Sequence, residues 1–252
     1  RWRRMNVNAI KLPWAGVRLE AGGIAIVIDP ITRILKEFGG AREPMYPLEH
    51  FGKADAVLIT HLHEDHFDPD AIVASYGADI PVYVPAEVAD GARAAGLRNI
   101  KAAALGVPNA IGDDVKVTAV PSVDGLGDVQ VAWIVEGAGR KAIHCGDTLW
   151  HGYWWGFARK YGPFDAAFLP VNGAVMELPG MTASGQPICL TPEQAVAAAN
   201  VLGAGKLIPI HYGTMNFPPI YNETPDIAAR LTAAAEGKVE VRMLQATETI
   251  TL

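Results

Sequence analysis

Strand-length runs rich in valine, isoleucine and alanine alternate along this chain with helix patterns that open on a cap and a proline and close on a glycine. The runs fall at 23–28, 54–60, 81–84, 115–120, 129–135, 141–145, 166–171, 206–210 and 239–243. A strand buried on both faces is short and uniformly apolar, and a chain that reaches such strands through capped helices builds layers. Helix starts are read at Asp68-Pro69, Thr191-Pro192 and Thr224-Pro225, with stops at Gly77, Gly203 and Gly237. Proline suits the first helical position because the N–H it lacks would be unpaired there anyway. Gln194 follows Thr191 by three residues, so the two side chains can satisfy each other's backbone amides in a capping box. The pattern predicts an α/β fold.

With 252 residues, 50% hydrophobic and 19% charged, the chain has the apolar material for one large core and lies outside the range of disordered sequences. Neither an internal repeat nor a low-complexity linker divides it, so a single domain over 1–252 is expected. The net charge of −6 argues against stable nucleic-acid binding, which needs a positive field. Two cysteines, Cys145 and Cys189, are too few for a disulfide scaffold or a sulfur-only zinc site, which points to a reducing cytoplasm. No apolar window approaches the roughly 18 residues a membrane span needs, and the basic start Arg1-Trp2-Arg3-Arg4 reads as a solvated end. The glycine- and proline-rich stretches 39–52 and 173–190 read as long loops, which inside a compact domain tend to carry function.

Chemistry concentrates directly after the run 54–60, in Thr60-His61-Leu62-His63-Glu64-Asp65-His66-Phe67-Asp68. On extended backbone, side chains two apart share a face, so His61 and His63 can reach one metal ion. Asp65 and His66 follow where the chain must turn into the Asp68 cap, which can aim both at a second ion beside the first. Imidazole and carboxylate are ligand types that zinc, iron and manganese accept. The competing reading is a cluster of histidines at an exposed strand end with no role.

This string, His61-x-His63-x-Asp65-His66 after an apolar strand, resembles the metal-binding motif of the metallo-β-lactamase superfamily. Three further stretches carry the resemblance: Ile26-Val27-Ile28-Asp29-Pro30, Gly146-Asp147-Thr148, and Ile208-Pro209-Ile210-His211-Tyr212-Gly213-Thr214. Their order is most similar to the branch that includes ascorbate-6-phosphate lactonase and N-acyl-phosphatidylethanolamine phospholipase D. The resemblance implies a four-layer αββα sandwich, two mixed β-sheets flanked by helices, with metals at one edge. It also implies that Asp147 bridges two metals and that His211 is the last ligand. Taken alone, Asp147 would read as a turn aspartate and His211 as a satisfied strand histidine.

One position departs from that branch. Where the branch reads Pro-Ala-x-His, this chain reads Pro121-Ser122-Val123-Asp124, so Asp124 stands in the place of a histidine ligand. A carboxylate is a competent ligand that would shift preference from zinc toward manganese or iron. The alternatives are a solvated Asp124 beside a weak or empty first site, or Asp128 as the substitute ligand.

The function these residues imply is a metal-dependent hydrolase that uses a metal-bound hydroxide on a small ester, lactone, thioester or phosphodiester. Two divalent ions are expected, zinc first, with manganese or iron as alternatives. The ligand set is His61, His63, Asp65, His66, Asp124, Asp147 and His211. Asp65 is also expected to orient or deprotonate the attacking water, and His151 is a candidate to protonate the leaving group. Otherwise His151 belongs to the aromatic stretch Trp150 to Phe157 as packing. His144 reads as packing or as support behind the ligands, and neither cysteine as a nucleophile. Rival functions are a phosphodiesterase or phospholipase-D-like activity, and a non-catalytic metal-binding scaffold. A di-iron redox centre is disfavoured because His63 occupies the place where that branch has glutamate. The expected partner is a small molecule, and an anionic one is compatible because two divalent ions offset the site's carboxylates. A homo-oligomer is left open.

Overall fold

In the computed structural model, which describes residues 6–252, the apolar runs pair into two seven-stranded sheets. The basic cluster Arg1-Trp2-Arg3-Arg4 lies outside the described residues. The first sheet opens with an antiparallel meander of β1 (Asn8–Lys11), β2 (Val17–Ala21) and β3 (Ile24–Ile28). It continues in parallel through β4 (Ala56–Leu58), α1 (Pro69–Tyr76), β5 (Val82–Pro85), α2 (Ala89–Ala94) and β6 (Ile100–Ala103). The second sheet repeats this plan, with β7 (Pro108–Ile111), β8 (Val115–Pro121), β9 (Val131–Gly137) and β10 (Arg140–His144) as the meander. After α3 (Trp154–Tyr161) comes β11 (Phe164–Pro170), parallel to β10. The short β12 (Val175–Met176) precedes α4 (Pro192–Leu202) and β13 (Ala204–Ile210), and β13 extends the parallel part. Next come β14 (Tyr221–Asn222), α5 (Ile227–Ala235) and the edge strand β15 (Glu240–Val241). β16 (Thr249–Thr251) crosses back to pair with β1, and β12 and β14 form a separate ribbon.

Alternation of side chains along each strand sorts the core into layers. Ile26 and Ile28 of β3, Leu58 of β4, Phe168 of β11 and Ile208 of β13 meet between the sheets. Their neighbours face outward: Val57 packs with Ile72 of α1, and Leu169 and Leu207 pack in the cluster that holds Ala195 and Ala199 of α4. Both sheets are therefore buried on two faces, which is why their strands read as continuous apolar runs. The expected αββα sandwich of two mixed sheets is the observed architecture. Among the described residues, no helix is long and apolar enough to cross a membrane.

Two of the three predicted helix caps form as read. Asp68 accepts from the Ala71 amide at 3.1 Å, and Thr191 and Gln194 make the reciprocal capping box. The third start differs: α5 begins at Ile227, because the Thr224 hydroxyl accepts from Arg230 at 2.5 Å and Asp226 caps in the left-handed region. Stretch 39–52 is not wholly irregular, since Leu48–Phe51 form a 3-10 turn, and stretch 173–190 contains β12.

The ends of β4, β8, β10 and β13 open at one edge of the sandwich, where loops from both sheets approach. The sheets are tied there by the Trp133 indole, which donates to the Ile59 carbonyl at 3.0 Å, and by the Val131 amide, which donates to the Thr60 carbonyl at 3.0 Å.

Candidate metal centre

All seven expected ligands converge at this edge, from the loops after β4, β8, β10 and β13. Donor atoms of His61, His63, Asp124 and Asp147 lie within 4.8 Å of one another, as do those of His66, Asp147 and His211, and of His61, Asp65 and His66. Asp147 belongs to two sets: its Oδ2 is 3.7 Å from His61 Nε2 and 3.8 Å from both His66 Nε2 and His211 Nε2. Asp65 Oδ2 lies 3.4 Å from His211 Nε2 and 3.6 Å from His66 Nε2.

The surrounding hydrogen bonds decide which nitrogen each ring presents. Thr60 Oγ1 is 2.6 Å from Asp29 Oδ2, and a carboxylate only accepts, so the hydroxyl proton goes to Asp29. Thr60 Oγ1 then accepts from His61 Nδ1 at 3.0 Å, which leaves His61 Nε2 unprotonated toward the cluster. His66 Nδ1 donates to the other side of the same Asp29 oxygen at 2.7 Å, freeing Nε2. His63 Nε2 donates to Asp128 at 2.7 Å, freeing Nδ1, which sits 2.9 Å from His61 Nε2 and 3.7 Å from Asp124 Oδ1. Asp128 thus supports His63 from its far side instead of standing in for Asp124. Carboxylates behind metal-bound imidazoles fix tautomer and orientation in this way.

Among the described residues, His66 Nε2, Asp147 Oδ1 and both nitrogens of His211 are buried without a hydrogen-bond partner. Orphaned buried polar atoms are costly, and a divalent cation would satisfy His66 Nε2, Asp147 Oδ1 and the Nε2 of His211, an oxygen and nitrogen set that fits it. Strain is stored here as well: Asp29 (φ 46), His211 (φ 59) and Trp14 (φ 59) all occupy the left-handed region without being glycine. Trp14 donates its indole N–H to Asp65 Oδ2 at 3.0 Å and lays its ring 4.0 Å from that of His211.

The electrostatics follow from packing these groups together without solvent. Burial and the neighbouring His66 and His63 hold His61 well below the usual histidine range, and burial pushes His211 down to about 4. Burial would also lower His66, but Asp65, Asp29 and Asp147 outweigh it and raise the ring to about 10. Burial would raise Asp65, yet His66 and His211 hold it well below the carboxylate range. Asp147 goes up to about 7 through burial, reinforced by Asp65 and Asp124.

His151 does not join the cluster. Its ring stacks on Trp154 at 3.8 Å, its Nδ1 accepts from the Tyr153 amide, and burial pushes it down to about 4. It is absent from the walls of the cleft of about 340 Å³ that opens beside Asp65, Asp124, Asp147 and His211. The packing alternative for His151 is the one its surroundings match. His144 supports the site from behind, accepting from the Gly146 amide and donating to the Ala15 carbonyl. Burial pushes the Cys145 and Cys189 thiols up, as expected for side chains that are not nucleophiles. Sequence reading missed the parts played by Trp14, Asp29, Thr60 and Gln130, whose Oε1 accepts from the Asp147 amide. Only Asp29 left a local trace, as the Asp-Pro that closes an apolar run.

Residues 25–212 match the family model of the β-lactamase superfamily domain, and the chain belongs to that superfamily. A UPF0173 metal-dependent hydrolase of Rubrobacter xylanophilus is 31% identical over 212 residues, 79% of this chain and 78% of the relative. One from Thermococcus kodakarensis is 29% identical over 244 residues, covering 92% and 93% of the two chains. Among solved structures, Igni18, a novel metallo hydrolase from Ignicoccus hospitalis, superposes with a TM-score of 0.76 at 25% identity over 98% of each chain. The chain is accordingly a metal-dependent hydrolase of this superfamily.

Proposed function

We propose that this hydrolase works with two divalent ions, one held by His61, His63, Asp124 and Asp147 and the other by Asp65, His66, His211 and Asp147, on a small ester, lactone or phosphodiester. The observation that carries the reading is Asp147 Oδ2, within 3.8 Å of histidine nitrogens of both sets while Oδ1 has no other partner. When bound, such ions supply a hydroxide near neutral pH and polarise the oxygen of the scissile group. Asp65, held by Trp14 and lining the cleft, is placed to orient the attacking water. Asp29, through Thr60 and His66, keeps two imidazoles in the binding tautomer. Leaving-group protonation is not assigned to His151, which lies outside the cleft walls. The lactonase and phospholipase-D branch suggested by motif order remains a finer alternative within this reading.

The test is metal analysis joined to turnover. Protein loaded in turn with zinc, manganese and iron is assayed on p-nitrophenyl acetate, simple lactones and bis-p-nitrophenyl phosphate. About two ions per chain, metal-dependent turnover of one substrate class, and loss of both ions in Asp147→Ala are expected. One ion per chain, unaltered in Asp147→Ala, overturns the bridging assignment; no metal-dependent turnover on any class overturns the substrate assignment.

A further inference from the structure

From the walls of the cleft we infer that the substrate carries an apolar acyl or alkyl group next to the scissile bond, and is not a polyhydroxylated sugar derivative. The inference rests on the hydrolase reading of the metal centre and adds the chemical class of what enters it. Outside the candidate ligands, the only polar side chains on the walls among the described residues are Arg33, Glu64, Cys189 and Tyr221. The rest is hydrocarbon and thioether from separate parts of the chain, with Phe38 after β3, Leu126 after β8, Leu178 and Ile188 from stretch 173–190, and Met215 after β13. These residues belong to one continuous surface. A Cβ on Gly125 would come 2.1 Å from the Ile188 carbonyl oxygen, so the loop carrying Asp124 lies directly against the loop carrying Ile188. A sugar hydroxyl pressed against such walls would lose its water and gain no partner.

Three of the four polar groups are already committed or opposed. Cys189 Sγ donates to Asn172 Oδ1 at 2.6 Å, and Arg33 and Glu64 carry opposite charges. Tyr221 is the exception. The Ala174 amide donates to Asn172 Oδ1 at 3.3 Å, which fixes the amide orientation, so Asn172 Nδ2 must donate to the Tyr221 oxygen at 2.9 Å. The Tyr221 hydroxyl proton has no acceptor among the described residues, and Tyr221 lines the cleft. One donor beside a metal centre, with apolar walls beyond, suits a single carbonyl or phosphoryl oxygen attached to a hydrocarbon group.

The experiment measures chain-length dependence in two ways. Metal-loaded protein is assayed on p-nitrophenyl esters from acetate to octanoate, and on δ-decalactone against gluconolactone. In parallel, calorimetry follows binding of linear alcohols from butanol to octanol to metal-loaded and to metal-free protein. Both kcat/KM and alcohol affinity are expected to rise about fourfold per methylene before reaching a plateau, with δ-decalactone preferred. Leu178→Glu should flatten the dependence with metal content retained, and Leu126→Glu, at a side chain 46% exposed and so tolerant of charge, provides the same reading should the first variant fold poorly. A flat series in both measurements, or preference for gluconolactone, overturns the inference. If alcohols bind with the expected dependence while no ester or lactone is turned over, the apolar cleft stands and the hydrolytic substrate assignment fails.

Discussion

Asp124 does with two oxygens what an imidazole could not. Its Oδ2 accepts from the Leu126 amide at 2.8 Å and the Asp128 amide at 3.1 Å, closing its own loop, while Oδ1 faces His63. The aspartate at this position suits local backbone chemistry: the loop that bears this candidate ligand is capped by the same side chain. If Asp124 is a ligand as proposed, Asp124→Ala should weaken its metal site by at least about 100-fold, since even the outer partners of ligands contribute about 10- to 100-fold. Asp128→Ala, which removes only the support behind His63, should cost about tenfold. Competition with a chromogenic chelator measures both, and wild-type affinity in Asp124→Ala would remove Asp124 from the set. Legibility at this scale follows sequence distance. His61, His63, Asp65 and His66 are visible because the strand and turn that aim them are local. Trp14 reaches Asp65 from 51 positions away, and nothing around Trp14 in the sequence foretells that contact.

Among the elements, those with local start and stop chemistry were readable and those held by packing were not. α1 and α4 carry caps, and their boundaries follow from Asp68 and Thr191. α2 and α3 have no side-chain cap and exist because Ala92, Trp154 and Phe157 bury themselves against a sheet. β1 and β2 interleave polar residues such as Lys11 and Arg18 with apolar ones, so they lack the uniform apolar signature of the central strands. Stretch 173–190 was visible as a long loop, but not that it lies against the loop carrying Asp124. Gly125 is the point of contact, and Gly125→Ala must push the Asp124 loop off Ile188. Overpacking of this kind costs about 1–3 kcal/mol, which for a chain of this size lowers the melting temperature by several degrees. Metal content should fall with it, because Asp124 moves too. Gly152→Ala is the control, since nothing lies within 4 Å of a Cβ there and it should melt like wild type. Identical melting of the two variants would show that the loops do not bear on each other.

At the scale of the whole molecule, the centre joins the two sheets, since His61, His63, Asp65 and His66 follow a strand of the first and Asp124, Asp147 and His211 follow strands of the second. Bound ions therefore act as a clasp across the sandwich, and ions that bind only the folded state stabilise it by about 2.7 kcal/mol for each site at 100 times its Kd. Protons compete for the same clasp. Without metal, His66 holds a proton up to about pH 10, Asp147 holds one up to about 7, and His63 is raised by Asp128, Asp124 and Asp147 against its burial. Each must release that proton for a cation to bind, so affinity must increase with pH, more steeply below 7 than above it. His61 and His211 do not add to this slope near neutrality, because burial already keeps them neutral there. They act on the metal-free fold instead. With pKa values lower in the folded than in the unfolded chain, they cost stability as pH falls below about 6.5, where only the unfolded chain takes up their protons. Acid should therefore weaken the molecule twice, by expelling the clasp and by charging buried rings. Metal titrations by chelator competition at pH 5.5, 6.5 and 7.5 should show affinity rising at least about tenfold per unit. The melting temperature gained on metal loading should shrink over the same range toward that of chelator-treated protein. Affinity independent of pH would mean that His66 and Asp147 keep their protons when the ions bind, and the cluster built around Asp147 would have to be abandoned.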